Sequence, residues 1–182
     1  MLKLSDNPAI LTPEVNSVTE LTGIWWVAHT RPRFEKVFAW DMLSYGIGYF
    51  LPLREKIIFS GGRKHKVLVP LFSSYVFICG TENDRYRAIA TNRLCHTIEV
   101  YDQEQLVSEL SSIEKGLMSK AILDVYPNLT VGTRVRVISG PMMGIEGILI
   151  QRKDGQARMV LEVTILGHGA LIEIDADLIE AI

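Results

Sequence analysis

The side chains with most to offer a ligand in this chain are cations and aromatics. Between Arg31 and Lys66 stand eight basic residues (Arg31, Arg33, Lys36, Arg54, Lys56, Arg63, Lys64 and Lys66) against the three acids Glu35, Asp41 and Glu55. The stretch carries +5 within a chain of net charge −2, so the remainder carries −7. Basic residues with aromatics between them can follow a phosphate backbone, and a charge cluster can also be no more than a solvated face. Both readings stand at this point. A second constellation is Phe72 and Tyr75 around Ser73-Ser74 at the start of a strand-like run. Exposed aromatics at a strand edge suit a groove for another protein's helices, while the plainer reading makes them core.

Catalysis and metal binding find less support. The four histidines, His29, His65, His96 and His168, are scattered, and HExxH, CxxC, GxSxG and P-loop patterns are absent. No metal, no cofactor and no enzyme activity are expected. Cys79 and Cys95 sit in apolar, strand-like surroundings and are expected to be buried, reduced thiols. The near-neutral total excludes a polybasic whole-surface nucleic-acid binder. No stretch is apolar over the ~18 residues a membrane span needs. The expected compartment is cytoplasmic.

The elements that must position these residues follow from periodicity. With 182 residues, 48% hydrophobic and 22% charged, the chain has room for one domain or two small ones. Residues 1–23 read as a tail. Ile24 to His29 reads as a buried first strand, followed by a helix capped by Thr30, with Pro32 in its first turn and Gly46 at its end. Phe34, Val37, Phe38, Met42 and Tyr45 form its predicted buried stripe. Strands are expected over Gly48 to Phe59 and Lys66 to Leu71, with Gly61-Gly62 at a hairpin tip that presents Arg63 and Lys64. A strand over Ser74 to Cys79, a short helix from Asn83 to Thr91, a strand over His96 to Val100 and a helix opened by an Asp102/Gln105 capping box come next. Residues 119–130, with Pro127, read as a linker. From Val131 to Ile182 the texture is short β-rich runs between Gly and Asp-Gly turns, at Asp154-Gly155 and Gly167 to Gly169. A unit this small is expected to close into a barrel, which removes its edges.

Two segments carry a family likeness. VRVISGPMMGIEGIL (Val135 to Leu149) resembles a KOW motif, the strand–loop–strand element of SH3-like barrels. WWVAHTRPRFEK (Trp25 to Lys36) and VPLFSSYVFI (Val69 to Ile78) resemble the first and central strands of the amino-terminal domain of NusG-type transcription elongation factors. The resemblance covers residues 24 to 182. It implies an α+β protein: an N-terminal α/β sandwich (24–118) with an antiparallel sheet and flanking helices, the linker 119–130, and a small SH3-like β-barrel (131–182).

The resemblance also implies partners. The first domain would dock on the clamp helices of the largest RNA polymerase subunit, reach the gate loop of the other large subunit, suppress pausing and raise processivity. The clamp-helix positions fall on His29, Leu71, Phe72 and Tyr75, and the gate-loop positions on Asp84, Arg85 and Tyr86, where a plain helix start capped by Asn83 or Asp84 is the other reading. Non-template DNA would meet Arg31, Arg33, Lys36, Thr91, Asn92 and Arg93; apart from the resemblance, the charge of the hairpin tip, Arg63, Lys64 and Lys66, suits nonspecific attraction to upstream DNA. The KOW loop, Pro141, Met142 and Met143, would recruit a ribosomal protein or termination factor.

There are departures from the family pattern. Ser73 stands where the family usually has proline, Trp26 where tyrosine is common, and Met142-Met143 where housekeeping members carry an aromatic. FLPLREK (Phe50 to Lys56) and VPLFSSYVF (Val69 to Phe77) resemble specialised paralogues that antiterminate particular long operons. The chain is expected to be a monomer. The rival reading is a KOW-containing RNA-binding or ribosome-associated module; five basic against seven acidic residues from Val131 onward speak against it.

Overall fold

The computed structural model describes residues 6–12, 14–126, 132–153 and 155–182. They group into two units, Met1–Gln103 and Glu104–Ile182. The first holds β1 (Ile24–Thr30), α1 (Glu35–Tyr45), β2 (Gly48–Phe50), β3 (Leu53–Ser60), β4 (Arg63–Pro70), β5 (Tyr75–Gly80), α2 (Glu82–Ala90) and β6 (Leu94–Glu99). β2, β5, β1 and β6 form one antiparallel sheet in that order, and β3 with β4 forms a separate hairpin.

β1 is central and covered on both faces, which is why IWWVAHT reads as a nearly unbroken apolar run. Trp26, Ala28, Val76 and Ile78 meet Phe38, Ala39 and Met42 of α1 and Ala88 of α2 in one core. Trp25, Val27, Phe77 and Cys79 alternate onto the opposite face and are equally buried, as expected for the Trp25-Trp26 pair. Gly23 lets the chain enter β1 hard against its neighbour, since a Cβ there would lie 2.7 Å from the Gly80 carbonyl oxygen.

The helix α1 begins later than predicted. Thr30 stays in β1, its N–H donating to the Ser74 carbonyl at 2.8 Å, and residues 31–34 form a turn in which Arg33 takes φ 68°. The cap is Phe34, without a side-chain hydrogen bond. Gly46 ends the helix in the left-handed conformation, as the sequence indicates, with its own N–H and that of Ile47 turned back to Leu43 and Met42. The buried line is Glu35, Phe38, Ala39 and Met42; Val37 and Tyr45 are exposed. Glu35 holds an inward position that periodicity gives to an apolar residue.

Pro52, with no N–H to donate, divides the predicted strand over Gly48 to Phe59 into β2 and β3. The Gly61-Gly62 turn has both residues at positive φ (57° and 73°), the two-residue hairpin turn the sequence calls for. For α2 the cap is Thr81 rather than Asn83 or Asp84; Asp84 completes a capping box with it.

The described residues of the segment read as a tail pack on the first unit instead. Leu11 bridges Phe50, the Thr12 N–H donates to the Tyr49 carbonyl (3.1 Å), and the Leu51 N–H donates to the Ile10 carbonyl (2.6 Å). Val18 is fully buried and Ile10 packs on the core. The three-residue β2 lies at the sheet edge, and this segment satisfies its outward backbone groups. The Tyr49 hydroxyl donates to the Ala9 carbonyl (3.1 Å), and burial, with the Glu14 charge adding, pushes its pKa up to about 12.

α3 (Gln103–Met118) begins at the last residue of the first unit, and the second continues with β7 (Ile122–Tyr126), β8 (Thr133–Val137), β9 (Glu146–Lys153), β10 (Gln156–Val163), β11 (His168–Asp175) and β12 (Ile179–Ala181). The sheet order is β12-β8-β9-β10-β11-β7. The meander β8 to β11 with β12 returned onto β8 is the small β domain expected after the first. Glu109 of α3 accepts hydrogen bonds from the Thr164 N–H (3.0 Å) and hydroxyl (2.5 Å), tying α3 to the β10–β11 connection. Leu106, Leu110 and Ile113 are its buried stripe. Within the predicted linker, Ile122–Tyr126 is a strand paired to β11, whereas residues 127–130 lie outside the described residues, as does Asp154 of the predicted Asp-Gly turn. Gly147 is required by close approach: a Cβ would lie 2.6 Å from the Val160 carbonyl oxygen.

Candidate functional site

At the end of the sheet where β1 gives way to the 31–34 turn, strand register lines up three rings. Tyr75 of β5 lies opposite His29 of β1, and His29 opposite His96 of β6. Tyr75 and His29 stack at 5.0 Å between centroids, and His96 meets His29 edge-on at 4.8 Å. Tyr75 and His29 are half-buried and His96 is exposed. Leu71 and Phe72 are core residues at 2% exposure, Phe72 packing edge-on against Phe77 at 6.4 Å. Of the four clamp-helix candidates, therefore, His29 and Tyr75 reach the surface and Leu71 and Phe72 support it from beneath. His96 was missed. It becomes visible only once β1 and β6 are placed in register.

The loop before Tyr75 is held at both ends. Ser74 takes φ 67°; its N–H donates to the Glu35 carboxylate (2.7 Å) and its carbonyl accepts from Thr30. Glu35 is 6% exposed, so a buried charge-assisted hydrogen bond fixes the backbone next to the aromatic row. Nδ1 of His29 and the Thr30 hydroxyl are buried without a hydrogen-bond partner.

The gate-loop candidates separate by role. Asp84 Oδ2 accepts from the Thr81 N–H (2.9 Å) and hydroxyl (2.7 Å). These bonds, the backbone one foremost, and the Arg87 guanidinium hold its carboxyl below the usual carboxylate range. Arg85 donates to Glu82 (3.2 Å) and Thr97 (3.4 Å) and lies over the rings of Trp26 and Tyr86. Tyr86, 62% exposed, is the group of the three that α2 offers to a partner.

The nucleic-acid candidates come together from distant positions. The Arg31 N–H donates to the Arg93 carbonyl (2.8 Å), which places the 31–34 turn beside Thr91–Arg93. Arg31, Arg33 and Asn92 are exposed there, and Asn92 takes φ 58°. The others serve the fold. The Thr91 hydroxyl donates to the Ala88 carbonyl (2.7 Å); Arg93 pairs with Asp41 (3.1 Å) and covers the Phe34 ring (5.5 Å). Lys36 turns inward to Asn7 Oδ1 (2.5 Å) and the Leu68 carbonyl (2.6 Å), and burial lowers its pKa against the opposing pull of Glu35. Arg63 and Lys64 stand exposed at the hairpin tip.

In the second unit, Pro141 and Met143 are exposed, Met143 at 66%, while Met142 is buried at 8%. Gly140 and Gly144, both near φ 85°, turn the loop so that the Gly144 N–H closes on the Val137 carbonyl (2.8 Å). A cavity of about 320 Å³ between α3 and the strands β9 and β10 contains none of the predicted site residues. Cys79 is buried, as expected, and its thiol is pushed up to about 11 by burial; Cys95 is exposed, contrary to expectation, because edge strand β6 turns it outward. Among the described residues no group of three or more His, Cys, Asp or Glu could hold a metal, and no helix is long and apolar enough to cross a membrane.

Comparison with known proteins gives one sequence-family match: the model of the transcription termination factor NusG matches residues 23–114, half of the chain. Comparison with curated proteins gives no match. Similar solved structures include NusG of Thermotoga maritima, solved to describe its domain interaction: 20% identity, 87% of this chain and 97% of that chain, TM-score 0.46. A chain of an MjSpt4:Spt5 complex has 16% identity, with the same two coverages of 87% and 97%, and a TM-score of 0.27. Neither superposition is close, so family membership rests on the sequence match.

Proposed function

The chain belongs to the NusG family of transcription factors, and from that premise we propose that it is an elongation factor that acts on RNA polymerase without catalysing a reaction. The observation that carries the docking reading is the row Tyr75–His29–His96, three rings abreast at one end of a rigid sheet. Rigid aromatic side chains lose little conformational entropy on binding and are over-represented among residues that dominate interfaces. The clamp helices of the largest subunit are the proposed partner, with Glu35 and Ser74 pre-setting the backbone and Leu71 and Phe72 bracing it.

Tyr86, held by Arg85, is the proposed gate-loop contact, and bridging two polymerase subunits would keep the clamp closed and suppress pausing. Arg31, Arg33 and Asn92 form the proposed contact with the non-template strand, and Arg63 and Lys64 with upstream DNA, by attraction to phosphate. Exposed Met143 and Pro141 are the proposed seat of a further protein partner, a ribosomal protein or termination factor. The segments FLPLREK and VPLFSSYVF favour service on particular long operons.

Titration of core polymerase with the full chain tests this reading. Saturable binding that Tyr75→Ala and His29→Ala each weaken, together with fewer arrests at a pause site in transcription in vitro, is the expected result. Unchanged affinity in both variants would remove the aromatic row from the interface.

A further inference from the structure

We propose that one face of the β3–β4 hairpin is a binding site for single-stranded nucleic acid, with Phe59 as the platform on which a base stacks. The inference deepens the nucleic-acid part of the proposed function and does not depend on polymerase docking. In the hairpin, Phe59 lies directly opposite Lys64, and Ile57 opposite Lys66. Residues opposite one another in an antiparallel pair project to the same side, and side chains two apart along a strand share a face. One face therefore presents Ile57, Phe59, Lys64 and Lys66 together.

Both apolar residues are open to solvent. Phe59 is 73% exposed and Ile57 56%, more than Trp40, Val37 or Tyr45 on α1. A phenyl ring this bare contributes little to the fold, and the Lys64 ammonium lies 5.7 Å from the ring centre. Lys66 pairs with Glu55 at 3.1 Å, but both side chains are mostly exposed, so the pair is weak and water-screened. Arg63, Lys56 and Arg54 add charge, so that Leu53–Pro70 carries five cations against the single acid Glu55.

This charge selects a polyanion, and the ring narrows the choice. Phosphates satisfy Lys64 and Lys66, and a base laid on Phe59 adds stacking that every base supplies through its π-face. A duplex keeps its base faces within its own stack and would use the charges alone. An acidic peptide would leave the ring unused. Neither Phe59 nor Ile57 is among the DNA candidates, which are cations together with Thr91 and Asn92.

The test is fluorescence anisotropy of the full chain with a labelled oligothymidylate, a labelled oligouridylate and a duplex of equal length. Phe59→Ala is expected to weaken single-strand binding about tenfold, within the span of about 5- to 150-fold that one stacked base is worth, and to leave duplex binding unchanged. Phe59→Trp should retain or tighten it, and Lys64→Ala should weaken single strand and duplex alike, more so at low salt. Tighter binding of one single strand than the other names the natural source and supports the proposal. Equal loss on single strand and duplex, no effect of Phe59→Ala, or Phe59-dependent binding to anionic vesicles without oligonucleotide binding overturns it. Core-polymerase binding is measured on the same proteins: if it persists while oligonucleotide binding is absent, only this inference falls, and the reverse result sinks only the polymerase reading.

Discussion

Replacing Glu35 by alanine removes the acceptor that holds the Ser74 N–H at 2.7 Å beneath the aromatic row. Glu35 is 6% exposed, so water cannot readily take its place, and an unsatisfied buried donor costs about 1–3 kcal/mol. Ser74 sits at φ 67°, a conformation that needs support from its surroundings, which places the expected loss near the middle of that range, about 2 kcal/mol. Glu35→Gln keeps an acceptor oxygen and gives up only the charge assistance, so its loss is expected to be about half as large. All three tryptophans, Trp25, Trp26 and Trp40, lie in the first unit, so tryptophan fluorescence during urea unfolding reports on that unit alone. With a urea slope of about 1–3 kcal/mol per molar, Glu35→Ala should lower the midpoint by roughly 1 M, and Glu35→Gln by about half of that. Polymerase affinity should fall in the same order, since the Ser74 backbone orients Tyr75. An unchanged midpoint for Glu35→Ala, or a glutamine variant as damaged as the alanine one, would refute the assignment of Glu35 as the anchor of this loop.

Two further outcomes are expected. The Asp84 carboxyl is held below its unfolded-state value by Thr81, so its stabilising effect is fully present above about pH 4 and disappears as pH falls through the folded-state value; the stability gap between the native chain and Asp84→Asn, measured by urea unfolding across that range, should close in acid. A thiol-specific reagent at mildly alkaline pH should modify one cysteine rapidly, exposed Cys95, and the second only on unfolding, since Cys79 is buried with its thiol pushed up to about 11; two fast equivalents would contradict the packing of β5.

What could be read from sequence was what local chemistry decides. The apolar run from Ile24, the stop at Gly46 and the Gly61-Gly62 turn each follow from a few adjacent residues. What could not be read depended on partners far along the chain. The start of α1 was misplaced because Thr30 gives its N–H to Ser74, and the true buried line includes Glu35 for the same distant partner. Residue type could not separate Met142 from Met143, identical residues that differ only in the direction they face. Lys36, a DNA candidate by charge and resemblance, and Arg93, one by resemblance, are held by Asn7 and Asp41. His96 needed the strand register, and Phe59 needed the observation that its ring is mostly open to solvent.

The strand-like contact of Ile10, Leu11 and Thr12 with the β2 edge sets the true border of the first folding module. The family match begins at residue 23, and a chain cut there would retain every residue of the match while baring the Tyr49 carbonyl and the Leu51 N–H at the edge strand β2. Unpaired groups at a sheet edge are a template for a neighbouring molecule's strand, so a module cut for binding work should begin upstream of Asn7, which keeps Ile10 to Thr12 on that edge and the Asn7 side chain on Lys36.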